Sequence, residues 1–159
     1  MATTSSEPVH ARTLADAWAR AAGERRAALI PYFTAGHPTF DVSLAALRVA
    51  DELADIIEVG VPFSDPLADG PTIQRSTHEA LAQGMTLERT LALVRQARLT
   101  TPVVVFSYLN PILRYGVDRF LADAAAIGVA GLLLTDLPAG GDAPLERAVE
   151  ASPLALIRL

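Results

Sequence analysis

Five short apolar runs, each separated from the next by a segment with helical character, set the frame of this 159-residue chain. The runs are ALIPYFTAG (28–36), DIIEVGVPF (55–63), TPVVVFSYLNP (101–111), AGLLLTDLP (130–138) and LALIRL (154–159). They are too continuously apolar to alternate cleanly, the pattern of parallel strands buried on both faces by helices. Pro31 lies in the first run and removes one ladder donor there. Hydrophobic residues make up 51% of the chain, enough for a core, which excludes a disordered chain.

Helices are expected between the runs. RTLADAWARAA, from Arg12 to Ala22, is rich in Ala and Leu and ends at Gly23. Asp41 offers an N-cap for VSLAALRVADEL, with Leu44, Leu47, Val49 and Leu53 on one face and Arg48, Asp51 and Glu52 toward solvent. SDPLADGPTIQRS reads as a long proline-rich, acidic loop. Thr86 opens TLERTLALVRQAR, with Glu88 near its positive end and Arg95 and Arg98 near its negative end. Further helices are expected from Val117 to about Ile127, closed by Gly128, and from about Ala143 to Ala151. The order β-α-β-α-β-α-β-α-β fits either a doubly wound sheet or the first part of a TIM (β/α)8 barrel. The junction Thr34-Ala35-Gly36-His37-Pro38 lacks the G-x-G-x-x-G of a dinucleotide fold, and no Walker sequence occurs. The expected architecture is therefore α/β: a partial barrel with parallel strands 1–5 and an N-terminal helix. Residues 1–11 are expected to be a flexible tail and 12–159 an incomplete barrel domain, since a full barrel takes about 250 residues.

Composition narrows the chemistry. The thirteen basic residues are all arginines, and neither Lys nor Cys occurs. Schiff-base lysine chemistry, cysteine nucleophiles and Cys-ligated zinc are excluded. A net charge of −5 speaks against a nucleic-acid surface. The polar start MATTSSEPVH lacks a signal-peptide core, and no stretch approaches the roughly 18 apolar residues of a membrane span. A cytoplasmic setting is expected.

Glu58 is the most informative residue: a carboxylate within Ile56-Ile57-Glu58-Val59-Gly60-Val61. Period-2 geometry sets it with Ile56 and Gly60, opposite Ile57, Val59 and Val61. If the latter meet the helices, Glu58 points into the barrel, where burial would raise its pKa toward an acid/base range. The competing reading is a structural Glu satisfied by backbone donors or one Arg. Asp65 and Asp69, in the loop that follows, could share acid/base and orienting roles with it or merely serve as turn residues. Other features carry less. His78-Glu79-Ala80-Leu81-Ala82 lacks the second His of a zinc-hydrolase motif. His10 and His37 stand alone, and Leu109-Asn110-Pro111 reads as a turn.

The segment Ile57-Glu58-Val59-Gly60-Val61-Pro62-Phe63-Ser64-Asp65-Pro66-Leu67-Ala68-Asp69-Gly70-Pro71-Thr72-Ile73-Gln74 closely resembles the signature of the tryptophan synthase α chain family. Residues 31–38, 107–111 and 134–138 resemble that family's first, third and fourth strand ends. The resemblance implies a TIM barrel that cleaves indole-3-glycerol phosphate to indole and glyceraldehyde 3-phosphate by a retro-aldol reaction. It implies that Glu58 shuttles protons and that Asp69 accepts a hydrogen bond from the indole N–H. Tyr32, Thr34, Phe106, Tyr108, Leu133 and Thr135 become pocket residues, and each pair lies two apart on one strand and so shares a face. Pro62, Asp65, Asn110 and Pro111 fall on the surface that would meet a β chain. In that family two α and two β chains assemble, and indole passes through a tunnel to pyridoxal phosphate on the β chain. No metal or cofactor is implied for the α chain itself. The family's phosphate-gripping loops lie beyond Leu159, so an alternative is an inactive fragment or homologue that only binds and activates a β chain. With two unpaired sheet edges, the isolated chain is expected to fold poorly or aggregate.

Overall fold

A computed structural model describes residues 13–158. The expected tail, His10, Arg12 and Leu159 lie outside the described residues. Helix α1 (Leu14–Gly23) begins at Thr13, whose hydroxyl accepts from the Asp16 amide while the Asp16 carboxylate accepts from the Thr13 amide, a capping box. Strands β1 (Tyr32–Thr34), β2 (Ile57–Gly60), β3 (Val103–Ser107), β4 (Val129–Leu134) and β5 (Ala155–Arg158) form one sheet. Their spatial order is their chain order, and every neighbouring pair is parallel. A doubly wound sheet reverses its order at a switch point, and no such reversal occurs here. The outer edges of β1 and β5 pair with nothing among the described residues. The paired strands are shorter than the apolar runs. Even so, the Pro31 carbonyl accepts from the Glu58 amide, so this proline costs the ladder a donor and not an acceptor.

The helices after the strands are α2 (Phe40–Asp51), α3 (Pro71–Ala82), α4 (Leu87–Ala97), α5 (Leu109–Tyr115), α6 (Val117–Ala126) and α7 (Ala143–Glu150). Five details differ from the sequence reading. Thr39, not Asp41, caps α2, its hydroxyl accepting from the Val42 amide, and Asp41 sits in the first turn. The inward face of α2 is Ser43, Leu44, Leu47 and Ala50, whereas Val49 and Leu53 are 60% and 70% exposed. Asp51 does not point freely into solvent, because its carboxylate accepts from the Thr100 and Thr101 amides. The supposed long loop ends at Gly70, and Pro71 opens α3, where its missing N–H is no loss. Leu109-Asn110-Pro111 is the first turn of α5, again a place that tolerates proline.

The sheet buries two faces. Ile57, Val59, Val61, Val103, Val105, Leu132 and Leu134 join the helices in the main core. On the other face Ile56, Val104 and Leu133 form a second cluster with Ala17, flanked by Leu14, Ile30, Phe106 and Ile157. Helix α1 therefore lies across the N-terminal end of the inner face. Gly131 admits it, since a Cβ there would press on Leu14 and on β5. The opposite end, at the strand C-termini, is left for a site. No helix among the described residues is long and apolar enough to cross a membrane.

Candidate functional site

Glu58 lies on the inner face, as the period-2 pattern predicts. Its backbone neighbours are Tyr32 on β1 and Val104 on β3. It is the second residue of β2, two before the strand's last residue. The residue is half-buried, and its carboxylate has no hydrogen-bond or ion-pair partner among the described residues. Burial alone pushes its pKa up. The structural alternative, a Glu neutralised by one Arg or held by backbone donors, is not what these contacts show.

The next inward position is Gly60, level with Thr34 and Phe106. A side chain there would overlap the Tyr32 phenol, so glycine is what lets the ring lie across β2. The Tyr32 ring meets Phe106 edge-on, with centroids 5.3 Å apart and planes at 78°. Burial raises the Tyr32 phenol to about 12; the Thr34 hydroxyl opposes that rise, and the charges of Asp69 and Glu58 add to it. Leu133 is level with Phe106 on β4 and closes this apolar floor.

Asp69 stands at the end of the β2–α3 loop. Its Oδ2 accepts from the Tyr108 hydroxyl at 3.1 Å, and that same hydroxyl accepts from the Ala68 amide at 2.9 Å. The Gln74 side chain donates to the Asp69 carbonyl at 2.8 Å, holding the loop against α3. Glu58, Tyr32, Phe106, Leu133, Tyr108 and Asp69 are thus brought to one face. Thr34 lies there too, but its hydroxyl is shared with Ser76 of α3 at 2.7 Å, and Ser76 also bonds the Ile73 carbonyl. Thr135 is half-buried after β4, its amide donating to the Ser107 carbonyl. Ser76 is not among the sequence candidates, because the stretch that holds it reads as a proline-rich loop and not as helix α3. The i, i+4 pattern of Ser76 and Ala80 beyond Pro71 is the signal that could have found it.

Pro62 and Pro111 line one groove with Phe63, Met85, Leu87 and Tyr115. Asn110 is exposed on α5, and Asp65 is exposed in the loop, where it accepts from its neighbour Ser64. His37 pairs with Glu79 at 2.9 Å, so the half zinc motif spends its Glu on a loop-to-helix contact.

A parallel β/α barrel unit with an unpaired inner-face carboxylate and a second carboxylate on the following loop places this chain among barrel proteins whose sites sit at the strand C-termini. The sequence model of the family described as tryptophan synthase alpha chain matches residues 18–159, and the chain belongs to that family. The tryptophan synthase alpha chain of Methylibium petroleiphilum is 51% identical over 129 residues, covering 79% of this chain and 47% of that protein. That of Phenylobacterium zucineum is 46% identical over 146 residues, covering 89% and 53%. Among solved structures, tryptophan synthase from Mycobacterium tuberculosis aligns with a TM-score of 0.87 at 42% identity, covering 94% of this chain and 59% of that one. Tryptophan synthase subunit alpha from Legionella pneumophila aligns with a TM-score of 0.83 at 38% identity, covering 90% and 56%. The chain spans about half the length of the curated relatives it matches.

Proposed function

We propose that this chain carries the catalytic half of a carbon–carbon lyase of tryptophan biosynthesis, which cleaves indole-3-glycerol phosphate into indole and glyceraldehyde 3-phosphate. The observation that carries this reading is the lone Glu58 carboxylate, raised in pKa by burial, on the same face as Asp69. Burial shifts a half-buried carboxyl with no partner toward holding its proton, the direction a general acid needs, whereas pairing with a cation shifts it the other way. In the proposed reaction Glu58 gives a proton to indole C3 and takes one from the hydroxyl on the adjoining glycerol carbon. The C3–carbon bond then breaks, its electron pair returns to the indole ring, and the hydroxyl carbon leaves as the aldehyde. Asp69 accepts from the indole N–H and stabilises the positive charge that C3 protonation creates. The apolar floor of Tyr32, Phe106 and Leu133 suits a planar aromatic ring, and Thr34, Tyr108 and Thr135 edge it.

The reaction needs no metal or cofactor on this chain. Indole passes to a β chain that carries pyridoxal phosphate, in an assembly of two α and two β chains in the cytoplasm. Pro62, Asp65, Asn110 and Pro111 meet that partner, a placement supported by the groove that Pro62 and Pro111 share. The test is to supply the full-length protein with indole-3-glycerol phosphate and quantify indole and aldehyde, with and without a tryptophan synthase β chain. Equimolar release of both, faster with the β chain, is expected. No release under either condition sinks the proposal.

A further inference from the structure

Tyr108 does more in this structure than line a pocket. It is the N-cap residue of α5, directly after β3, and is only 6% exposed. Its ring packs on Phe63, with centroids 5.1 Å apart, at the start of the β2–α3 loop. Its hydroxyl reaches the far end of the same loop, where it accepts the Ala68 N–H and donates to Asp69 Oδ2. One side chain therefore clasps both ends of the segment that delivers Asp69. The two bonds have a fixed sense: an amide can only donate, so the phenolic proton is left for the carboxylate. Burial keeps the phenol protonated, and its bond to Asp69 acts in the same direction. With Oδ2 engaged, Oδ1 of Asp69 has no partner among the described residues and is the oxygen left for a ligand N–H.

We infer that Tyr108 is a positioning residue for Asp69, its hydroxyl fixing the β2–α3 loop and presenting Oδ1 to the N–H of an indole-type substrate. The inference rests on the function proposed above. Tyr108 acts through Asp69, so deleting its hydroxyl matters only while Asp69 is present. The ring's contact with Phe63 survives a phenylalanine, so binding of the apolar part of the substrate is kept.

The experiment is a double-mutant cycle in the full-length protein, with Tyr108→Phe, Asp69→Ala and the pair, read as kcat and KM for indole release. A hydrogen bond to a charged group supports a fall in kcat of about tenfold or more for Tyr108→Phe, with KM little changed. The double variant should be no slower than Asp69→Ala alone. Hydrogen exchange at the Ala68 amide, followed by NMR, should quicken in Tyr108→Phe. Wild-type kcat in Tyr108→Phe, a rise in KM alone, or simple additivity of the two losses would overturn the positioning role. If the wild-type protein releases no indole, the functional reading fails separately. The clasp is then judged on the amide, and unchanged Ala68 exchange in Tyr108→Phe overturns it.

Discussion

Asp55 and Glu58 lie three residues apart on or beside the same strand, and their surroundings are opposite. Asp55, just before β2, is 1% exposed and fully partnered. It accepts from Arg20 of α1 at 2.7 Å, from both terminal nitrogens of Arg26 at 2.5 and 2.9 Å, and from the Leu29 amide at 2.9 Å. The Arg26 bonds, then the Leu29 amide and Arg20, hold its pKa well below the usual carboxylate range. Glu58 has none of these partners, and burial moves its pKa the other way. The contrast follows position along the strand. The N-terminal end is sealed by α1, and a charge there must be neutralised; the C-terminal side is open for chemistry. One carboxylate is neutralised within the fold, and the other has no partner among the described residues.

Substitutions should separate these roles, and the largest effect belongs to Glu58. Glu58→Gln keeps shape but cannot move a proton, so indole release should fall by about a thousandfold, within the range attributed to acid–base catalysis. Asp55→Asn should leave turnover per folded molecule unchanged and lower unfolding stability by about 2 kcal/mol in a chemical denaturation series. That figure is set below the fully buried case because both arginines reach solvent.

Acidity sharpens the comparison. A depressed folded-state pKa contributes stability that is present above the unfolded value and lost as pH falls toward the folded one. Wild-type stability should therefore drop in acid below about pH 4, and the Asp55→Asn protein should show a shallower acid loss. Glu58 has the reverse sign. Its raised pKa makes the ionised form unfavourable in the folded state, so its penalty grows as pH rises through the ordinary Glu range. Glu58→Gln should match the wild type in stability near pH 3 and exceed it slightly at pH 7. Denaturation midpoints of all three proteins between pH 3 and 7 check both signs. The smallest effect is expected for Ser76→Ala, which breaks the Thr34 bridge and should cost about 1 kcal/mol, read as a modest shift in melting temperature.

What was legible in the sequence followed the strength of the local pattern. The five apolar runs announced parallel strands because burial on both faces leaves no alternation. Period 2 sets Glu58 opposite Ile57, Val59 and Val61, and because those three pack in the main core with the helices, Glu58 faces inward. Helix α3 was hidden because Gly70 and Pro71 read as breakers, although at a helix start they serve as N-cap and first residue. Val49 and Leu53 show that apolar identity does not set inward direction: both are exposed, while Ser43 and Ala50 are small enough to let α2 close on the sheet. The contacts that shape the site were out of reach for another reason. The bond from Tyr108 to Asp69 spans 39 residues and that from Thr34 to Ser76 spans 42. Both depend on where a loop and a helix pack, which no local pattern encodes.

The most direct test of the contrast on β2 is to measure turnover and unfolding free energy together, on Glu58→Gln and Asp55→Asn in the full-length protein at pH 7. The prediction is a crossed result. Glu58→Gln loses indole release and keeps or gains stability, while Asp55→Asn loses stability and keeps turnover per folded molecule. Wild-type turnover in Glu58→Gln, or equal losses of stability in both variants, would contradict it.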